Sequence, residues 1–587
     1  LTGRAQYGHE LGGYWDEWYA TFSNGWVGWL AEAQGKFYLT FYQPMPAGSS
    51  LPAFGDLYPG QTAVGIPIGG TLIVTEKGTA TTIAAEGEIP YQFTPNEQSN
   101  YADLSGPNNV FGTIDYSFDP PWIFVGNQVT LAEIGLADAR PADREARKVS
   151  AAAMGCPNCG GPLSLNAPDK AERVTCPNCD SLLDVNQGNL TYLHALTSTD
   201  ADKNFVLPIG AEGTFKDDVK FKIIGAVVRS VTIDGISYYW HEYLLYNVKI
   251  GFRWLVHSDN HWNFVEPVNA ADVTVTSGGY SLTGAASGVS FNGVSYKIFQ
   301  DAPARVEYVK GEFYWRVEQG ETVRAIDYVS APYMLSQETT ANEVNWSFGA
   351  YMTNAEIEKV FGVSDLPKPW SVAPNQPFTG SFYYTWGALP LLLLFVVGIF
   401  MIPLAGISST VLSQEIVLPP MANAQAAQTV FSQQFDIKPN RNVRISASAP
   451  VSNSFAELDV DLVNDQSQEV ESVNIPIEYY FGSDSDGSWT EGSKDQDATL
   501  SSLPGGKYTL RVEGTWQDWQ NPMPVTVKVE QNISRGVNFI CALIVLLIVP
   551  VLGFFRKLSF EGRKWRDSMF TSSGSANTGG DDSGDDE

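Results

Sequence analysis

The sequence predicts a mainly β protein: two repeated β modules, a zinc ribbon, two transmembrane helices and an external β-sandwich. Three observations carry this. Residues 15–39 (WDEWYATFSNGWVGWLAEAQGKFYL) align without a gap on 240–264 (WHEYLLYNVKIGFRWLVHSDNHWNF). Two long runs near the C-terminal end carry no charge. Four cysteines fall in a C-x2-C-x16-C-x2-C pattern.

In the repeat, Trp15 falls on Trp240, Glu17 on Glu242, Trp18 on Tyr243, Trp29 on Trp254, Leu30 on Leu255 and Phe37 on Trp262. Segments 238–245, 251–256 and 261–265 are rich in aromatic and aliphatic residues and read as strands. Ser258-Asp259-Asn260 reads as a hairpin turn, and Gly35 stands where the second copy has Asn260, both residue types that tolerate positive φ. A weaker match continues through Gly87-Glu88 with Gly311-Glu312, Asp103 with Asp327, and Ala132-Glu133-Ile134 with Ala355-Glu356-Ile357. The modules are expected at 1–136 and 191–365, joined by a charged linker at 137–153. The first module is expected to be N-terminally incomplete, because the lead-in 205–225 has no counterpart before Leu1.

Residues 154–190 read as a zinc ribbon. Each Pro-Asn pair lets a tight knuckle aim two sulfurs at one ion, so Cys156, Cys159, Cys176 and Cys179 form a closed structural site. A redox CxxC is disfavoured, because there are two matched pairs and no thioredoxin-like βαβ pattern. Basic residues are few here: Lys170 and Arg173 are offset by Asp169, Glu172 and Asp180. With a net charge of -29 for the whole chain, this argues against nucleic acid as a partner.

A Pro-rich spacer (366–383) leads to the first expected span, 384–408, where Tyr383, Tyr384 and Trp386 would anchor at the interface. The second span is 537–555. Arg556, Lys557, Arg563, Lys564 and Arg566 follow it, whereas the intervening loop is poor in such charge near the spans. Positive charge stays inside, so both termini are expected in the cytosol of a bacterium and 411–535 beyond its inner membrane. The absence of cysteine from 411–535, against four in the cytosolic motif, agrees. Within 411–535, segments 429–437, 443–451, 455–463, 473–481, 507–516 and 524–529 read as strands of a β-sandwich. Its acidic loop with Asp484, Asp486 and Glu491 reads as solvated rather than calcium-binding. Residues 556–587 read as a basic, then acidic, disordered tail.

The ribbon followed by IPIGAEGTFKDDVKFKIIGAVVRS, YYWHEYLLYN and GFRWLVHSDNHWNFVEP resembles domain-of-unknown-function family 4178. The resemblance covers about 205–362 strongly and the first module moderately. Members of that family tend to be encoded near membrane-stress, polyamine-related and small membrane-protein genes. This implies a membrane-associated accessory role without catalytic residues to carry over.

No nucleophile elbow, HExxH, phosphate loop or dinucleotide fingerprint is present. The expected function is a non-enzymatic, membrane-anchored scaffold or adaptor subunit of a bacterial membrane complex. Its partners would be proteins and the lipid bilayer, with a homo-oligomer left open and zinc as structural cofactor. The alternative is a subunit that binds a small, polyamine-like cation, or regulates an enzyme acting on one, through Glu17 and Glu242. For these two, a glutamate with its head at a sheet edge is the commoner explanation. His257 and His261 read as exposed hairpin residues, and the tryptophans as core.

Overall fold

The computed structural model describes all residues except 11, 34–35, 67–69, 137–154, 169, 187–188, 198–204, 234, 277–278, 282, 405–406, 424, 534–535 and 571–587. The expected linker (137–153), the turn glycine Gly35 and the acidic end of the tail lie outside the described residues, as do the side chains of Tyr383 and Tyr384. The chain forms two units, Leu1–Phe378 with Leu558–Glu587, and Thr379–Lys557.

The first unit is built on two closed antiparallel barrels. The first contains β1 (Gly3–His9), β2 (Tyr14–Thr21), β3 (Val27–Ala33), β4 (Lys36–Tyr42), the short β5 (Thr62–Ala63), β6 (Leu72–Gly87), β7 (Gln98–Ser105), β8 (Val110–Asp115) and β9 (Trp122–Val129). The order β1-β2-β3-β4-β9-β8-β7-β6 is closed by pairing of β1 with β6.

After β10 (Arg173–Thr175), β11 (Ser181–Asn186), β12 (Asn189–Ala195) and β13 (Glu212–Thr214), the second barrel repeats this plan. Its strands are β14 (Lys220–Ile233), β15 (Ile236–Asn247), β16 (Gly251–Ser258), β17 (His261–Val268), β20 (Val294–Phe313), β21 (Thr322–Ser330), β22 (Tyr333–Thr339) and β23 (Val344–Met352). Two short strands, β18 (Thr274–Val275) and β19 (Gly288–Phe291), lie off the ring. Pairing of β14 with β20 closes the order β14-β15-β16-β17-β23-β22-β21-β20.

Closure brings two backbones together at matched glycines. Gly3 pairs with Gly87 in the first barrel and Gly225 with Gly311 in the second. Gly87 and Gly311 have φ of 73° and 96°, and a Cβ there would lie 2.3 Å from the Thr2 carbonyl oxygen and 2.2 Å from that of Ile224. Only glycine fits such a contact at positive φ.

Alternation along each strand sends one face outward and one into the lumen. Outward residues of the second barrel, including Tyr243, Leu245, Leu255 and Trp262, are buried under Phe205, Phe215 and Ile357 of α1 (Asn354–Phe361). The α1 capping box uses Thr353 and Glu356, and Thr130 with Glu133 makes the same reciprocal bonds in the first copy. That explains the Ala-Glu-Ile match.

The expected spacer is packed rather than loose. Asn375 is buried and donates to Asn263 and the Pro332 carbonyl, with Val372 and Ala373 also buried. The tail is not disordered from its start either, because helix runs on to Trp565. Trp565 then packs on Phe299, and the Ser568 hydroxyl donates to the Phe299 carbonyl at 2.8 Å.

The second unit begins with α2 (Ser381–Leu404) and ends in α3 (Gly536–Trp565), which continues into the first unit. Among the described residues, α3 contains one stretch long and apolar enough to cross a membrane, Phe539–Trp565. The described apolar stretch of α2 is shorter, Trp386–Ile399. Between them lie β24 (Ser409–Leu418), β25 (Gln428–Phe431), β26 (Phe435–Ile437), β27 (Arg441–Ser448), β28 (Ser454–Asn464), β29 (Val470–Asp484), β30 (Gly487–Ser493), β31 (Asp495–Leu503), β32 (Gly506–Trp516) and β33 (Met523–Gln531). They form two antiparallel sheets, β24-β33-β27-β31 and β25-β32-β28-β29-β30 with β26. Both sheets feed one apolar cluster, including Leu458, Val512, Val443 and Val527. The acidic loop is the β29–β30 hairpin, where Asp484 Oδ1 accepts from the Asp486 N–H.

Candidate metal centre and barrel lumens

The four sulfurs of Cys156, Cys159, Cys176 and Cys179 lie within 4.8 Å of one another. Cys156 and Cys179 are 3.8 Å apart, and Cys159 and Cys176 are 3.7 Å apart. A tetrahedral ion with metal–sulfur bonds of about 2.3 Å has sulfur–sulfur edges of about 3.8 Å. The residues therefore fit a tetrahedral metal.

Both knuckles fold alike, because both have the sequence Cys-Pro-Asn-Cys. The Gly160 N–H donates to the Cys156 carbonyl, and the Asp180 N–H to that of Cys176. Gly160 and Asp180 both take positive φ, 74° and 51°. This turn aims N–H groups at sulfur, such as Gly161 to Cys159 at 3.4 Å. The Ser181 hydroxyl lies 3.2 Å from the Cys179 sulfur.

The cysteine unit is not a free knob. Strand β10 pairs with the end of β20, Arg173 opposite Phe313 and Val174 opposite Glu312. The buried Glu312 carboxylate accepts from the Asn166 backbone N–H at 2.7 Å, from its side-chain amide, and from the Ala167 N–H at 3.0 Å. Leu182 of β11 enters the apolar cluster of Ile224, Val227, Leu244 and Val309.

The other candidate site is the pair of lumens. Glu17 and Glu242 lie on β2 and β15, each paired on both sides, so neither is at a sheet edge. In each copy the tryptophan two residues earlier holds the carboxylate: Trp15 Nε1 donates to Glu17 at 3.0 Å and Trp240 Nε1 to Glu242 at 2.7 Å. Both carboxylates line one continuous cavity of about 4210 Å³ that takes in both lumens. That volume far exceeds a small-ligand site of roughly 300–1,000 Å³, so the local chemistry, not the space, must carry any specificity.

Register identifies further matched acids that the sequence reading left aside or saw only as a repeat match. Asp103 and Asp327 each accept from a cross-strand hydroxyl, Thr113 at 2.8 Å and Ser336 at 2.5 Å. Asp115 pairs across from Tyr101, as Glu338 does from Ala325. Each lumen thus presents Glu, Asp and a third carboxylate at equivalent positions. The signal for the third was a strand-end acid in each copy, but Asp and Glu fall at different sequence offsets.

The copies differ in their cation. Arg229 pairs across from Trp240, with Nε 3.2 Å from Glu242 and Nη1 2.7 Å from Glu338. The residue across from Trp15 is Tyr7. Among the described residues, no cation forms an ion pair with Glu17, Asp103 or Asp115. Burial without a cationic partner pushes Glu17 up to about 7 and raises Asp103 and Asp115. Burial also raises Glu242, but the Arg229 charge opposes it. Glu76, beside Asp103, has its own partner, His9 at 3.4 Å.

The two histidines are buried, not exposed. His261 uses both ring nitrogens, on the Tyr351 hydroxyl at 2.9 Å and the Trp370 carbonyl at 3.0 Å, leaving none for a metal. His257 stacks on Trp262 at 4.1 Å, and burial brings it down to about 4, so it is neutral.

No curated protein sequence matches this chain. Among solved structures it is similar to a Bacteroides fragilis protein provisionally named as an outer membrane protein, at 6% identity and a TM-score of 0.09, covering 60% of this chain and 98% of that one. It is also similar to a carbohydrate-binding module of the β-sandwich superfamily with promiscuous specificity, at 10% identity and a TM-score of 0.10, covering 45% of this chain and 95% of that one. Scores this low carry no argument. Residues 208–354, which hold the second barrel with Arg229, Glu242 and Glu338, match the model of the domain-of-unknown-function family DUF4178.

Proposed function

We propose that this chain is a non-enzymatic, membrane-anchored scaffold or adaptor subunit of a bacterial membrane complex. Two spans, α2 and α3, anchor it in the inner membrane. The barrels and a zinc-loaded ribbon dock protein partners in the cytosol, and the β-sandwich lies outside. The first barrel is read as a second copy of the DUF4178-like module.

The observation that carries this reading is where the chain leaves and rejoins its first unit. It departs at Phe378 and returns at Leu558, and Phe378 and Phe560 then pack at 5.2 Å. An excursion that returns to one body needs an even number of crossings. Close approach of α2 and α3 supports a helical pair: a Cβ on Gly387 would lie 3.0 Å from Pro550 and one on Gly398 would lie 2.8 Å from Phe539. The basic residues from Arg556 onward set the orientation.

Two measurements test it. Protease added to intact spheroplasts should cut only within 411–535; cleavage of the barrels instead reverses the topology. Mild detergent extraction followed by mass spectrometry should yield a stoichiometric set of proteins with one zinc per chain. A lone chain would sink the scaffold reading.

A further inference from the structure

We propose that the lumen of the first barrel binds an organic cation, a guanidinium or primary ammonium group seated between Glu17 and Asp115. This rests on the barrel alone and is independent of the scaffold reading.

The second barrel supplies the precedent. Its Glu242 and Glu338 are the positional equivalents of Glu17 and Asp115, and they ligate the Arg229 guanidinium. The second copy therefore carries its own cation. The first copy keeps the acids and replaces the arginine by Tyr7, whose ring stacks on Trp15 at 5.4 Å. Tyr101 stands 5.6 Å from Trp15, where the second barrel has Ala325. Tyr19 packs on Trp29 at 5.1 Å, where the second barrel has Leu244 against Trp254. Tyr91 closes the group through its hydroxyl, 2.5 Å from that of Tyr7.

Loss of the internal cation thus coincides with tyrosine at three matched positions, Tyr7, Tyr101 and Tyr19, where the second barrel has Arg229, Ala325 and Leu244 and instead sets Trp315 against Trp254. Aromatic faces attract ammonium and guanidinium groups, and carboxylates pair with them. A hard metal ion would use the acids but gain little from the rings. All these residues face the cavity.

The test is calorimetry on the full chain in detergent at about pH 8, where the carboxylates are charged. The probes are n-propylguanidinium, which reproduces the arginine side chain, and n-propylurea, its uncharged isostere. One guanidinium should bind per chain, about tenfold or more tighter than the urea, as a charge-assisted hydrogen bond implies. Glu17→Gln should weaken it about tenfold or more. Tyr7→Arg should abolish binding by installing the second barrel's own cation, with a melting transition kept to show that the chain still folds. Equal binding of the urea, binding unchanged in Glu17→Gln, retention in Tyr7→Arg, or calcium binding in place of the guanidinium would each overturn the proposal.

Discussion

The two barrels share a ring order, a glycine-pair closure, a Trp-x-Glu hook and three lumen carboxylates, yet they solve the same electrostatic problem differently. The second pairs two of its acids, Glu242 and Glu338, with Arg229 and receives the cysteine unit on the end of β20. The first has Tyr7 in place of the arginine and an acid raised by burial. A buried carboxylate must be paired, hydrogen-bonded or protonated. Common architecture therefore came from backbone closure, while individuality sits in the side chains facing the lumen, with Tyr7 against Arg229 foremost.

The largest expected effect is at the cysteine unit and the end of β20 that receives it. Structural zinc is worth about 10–16 kcal/mol in small peptides, so chelation or Cys176→Ser should unfold the segment around β10 to β12. Hydrogen exchange should rise across 156–195 and at Gly311 to Phe313, while the first-barrel closure at Gly3 and Gly87 stays protected. Equal protection before and after chelation would mean that no metal holds this unit.

Next, Arg229→Met should cost about 3 kcal/mol in urea unfolding, because it strands the Glu242 carboxylate, which is largely buried, while Glu338 stays half-exposed. Tyr7→Phe, at the matching position, should cost about 1 kcal/mol for one lost hydrogen bond. Similar costs would erase the contrast between the lumens.

Titration gives the third test. Glu17 sits near 7 in the fold against its ordinary 4.5, so the folded chain holds a proton that the unfolded chain releases in between. That contribution is present below about pH 4.5 and is lost as pH rises to about 7, on the order of 3 kcal/mol. Urea unfolding at about pH 5 and 8 should show the drop, and Glu17→Gln should reduce it, leaving the part that comes from the other raised carboxylates. The most symmetrical effect should be at the closures: Gly87→Ala and Gly311→Ala should each cost at least about 1–3 kcal/mol, because strain at positive φ adds to the clash with the facing carbonyl oxygen. A large inequality would mean that the closures are not equivalent.

Much of this was legible beforehand. The Cys-Pro-Asn-Cys pairs, the Trp-x-Glu repeat and the hairpin at Asp259-Asn260 are local patterns, and each has a local physical cause. The outer strands β24, β30 and β31 were missed: β24 follows an apolar run directly, and the other two are polar and exposed. The histidines were misjudged because burial of a hairpin depends on what packs over it, here Tyr351 and the 370–375 segment.

The sequence by itself determined that the chain is mainly β, that it repeats, which four thiols converge and where charge stops and apolar helix begins. These follow from spacing and composition. Only the tertiary structure decided that each module closes into a ring, that the cysteine unit is sewn to β20 through Glu312, and that Tyr7 stands where Arg229 does. The reason is register. Cross-strand neighbours are set by pairing between segments far apart in the chain, and β-bulges shift the offset, so a one-dimensional alignment could not put Tyr7 opposite Trp15.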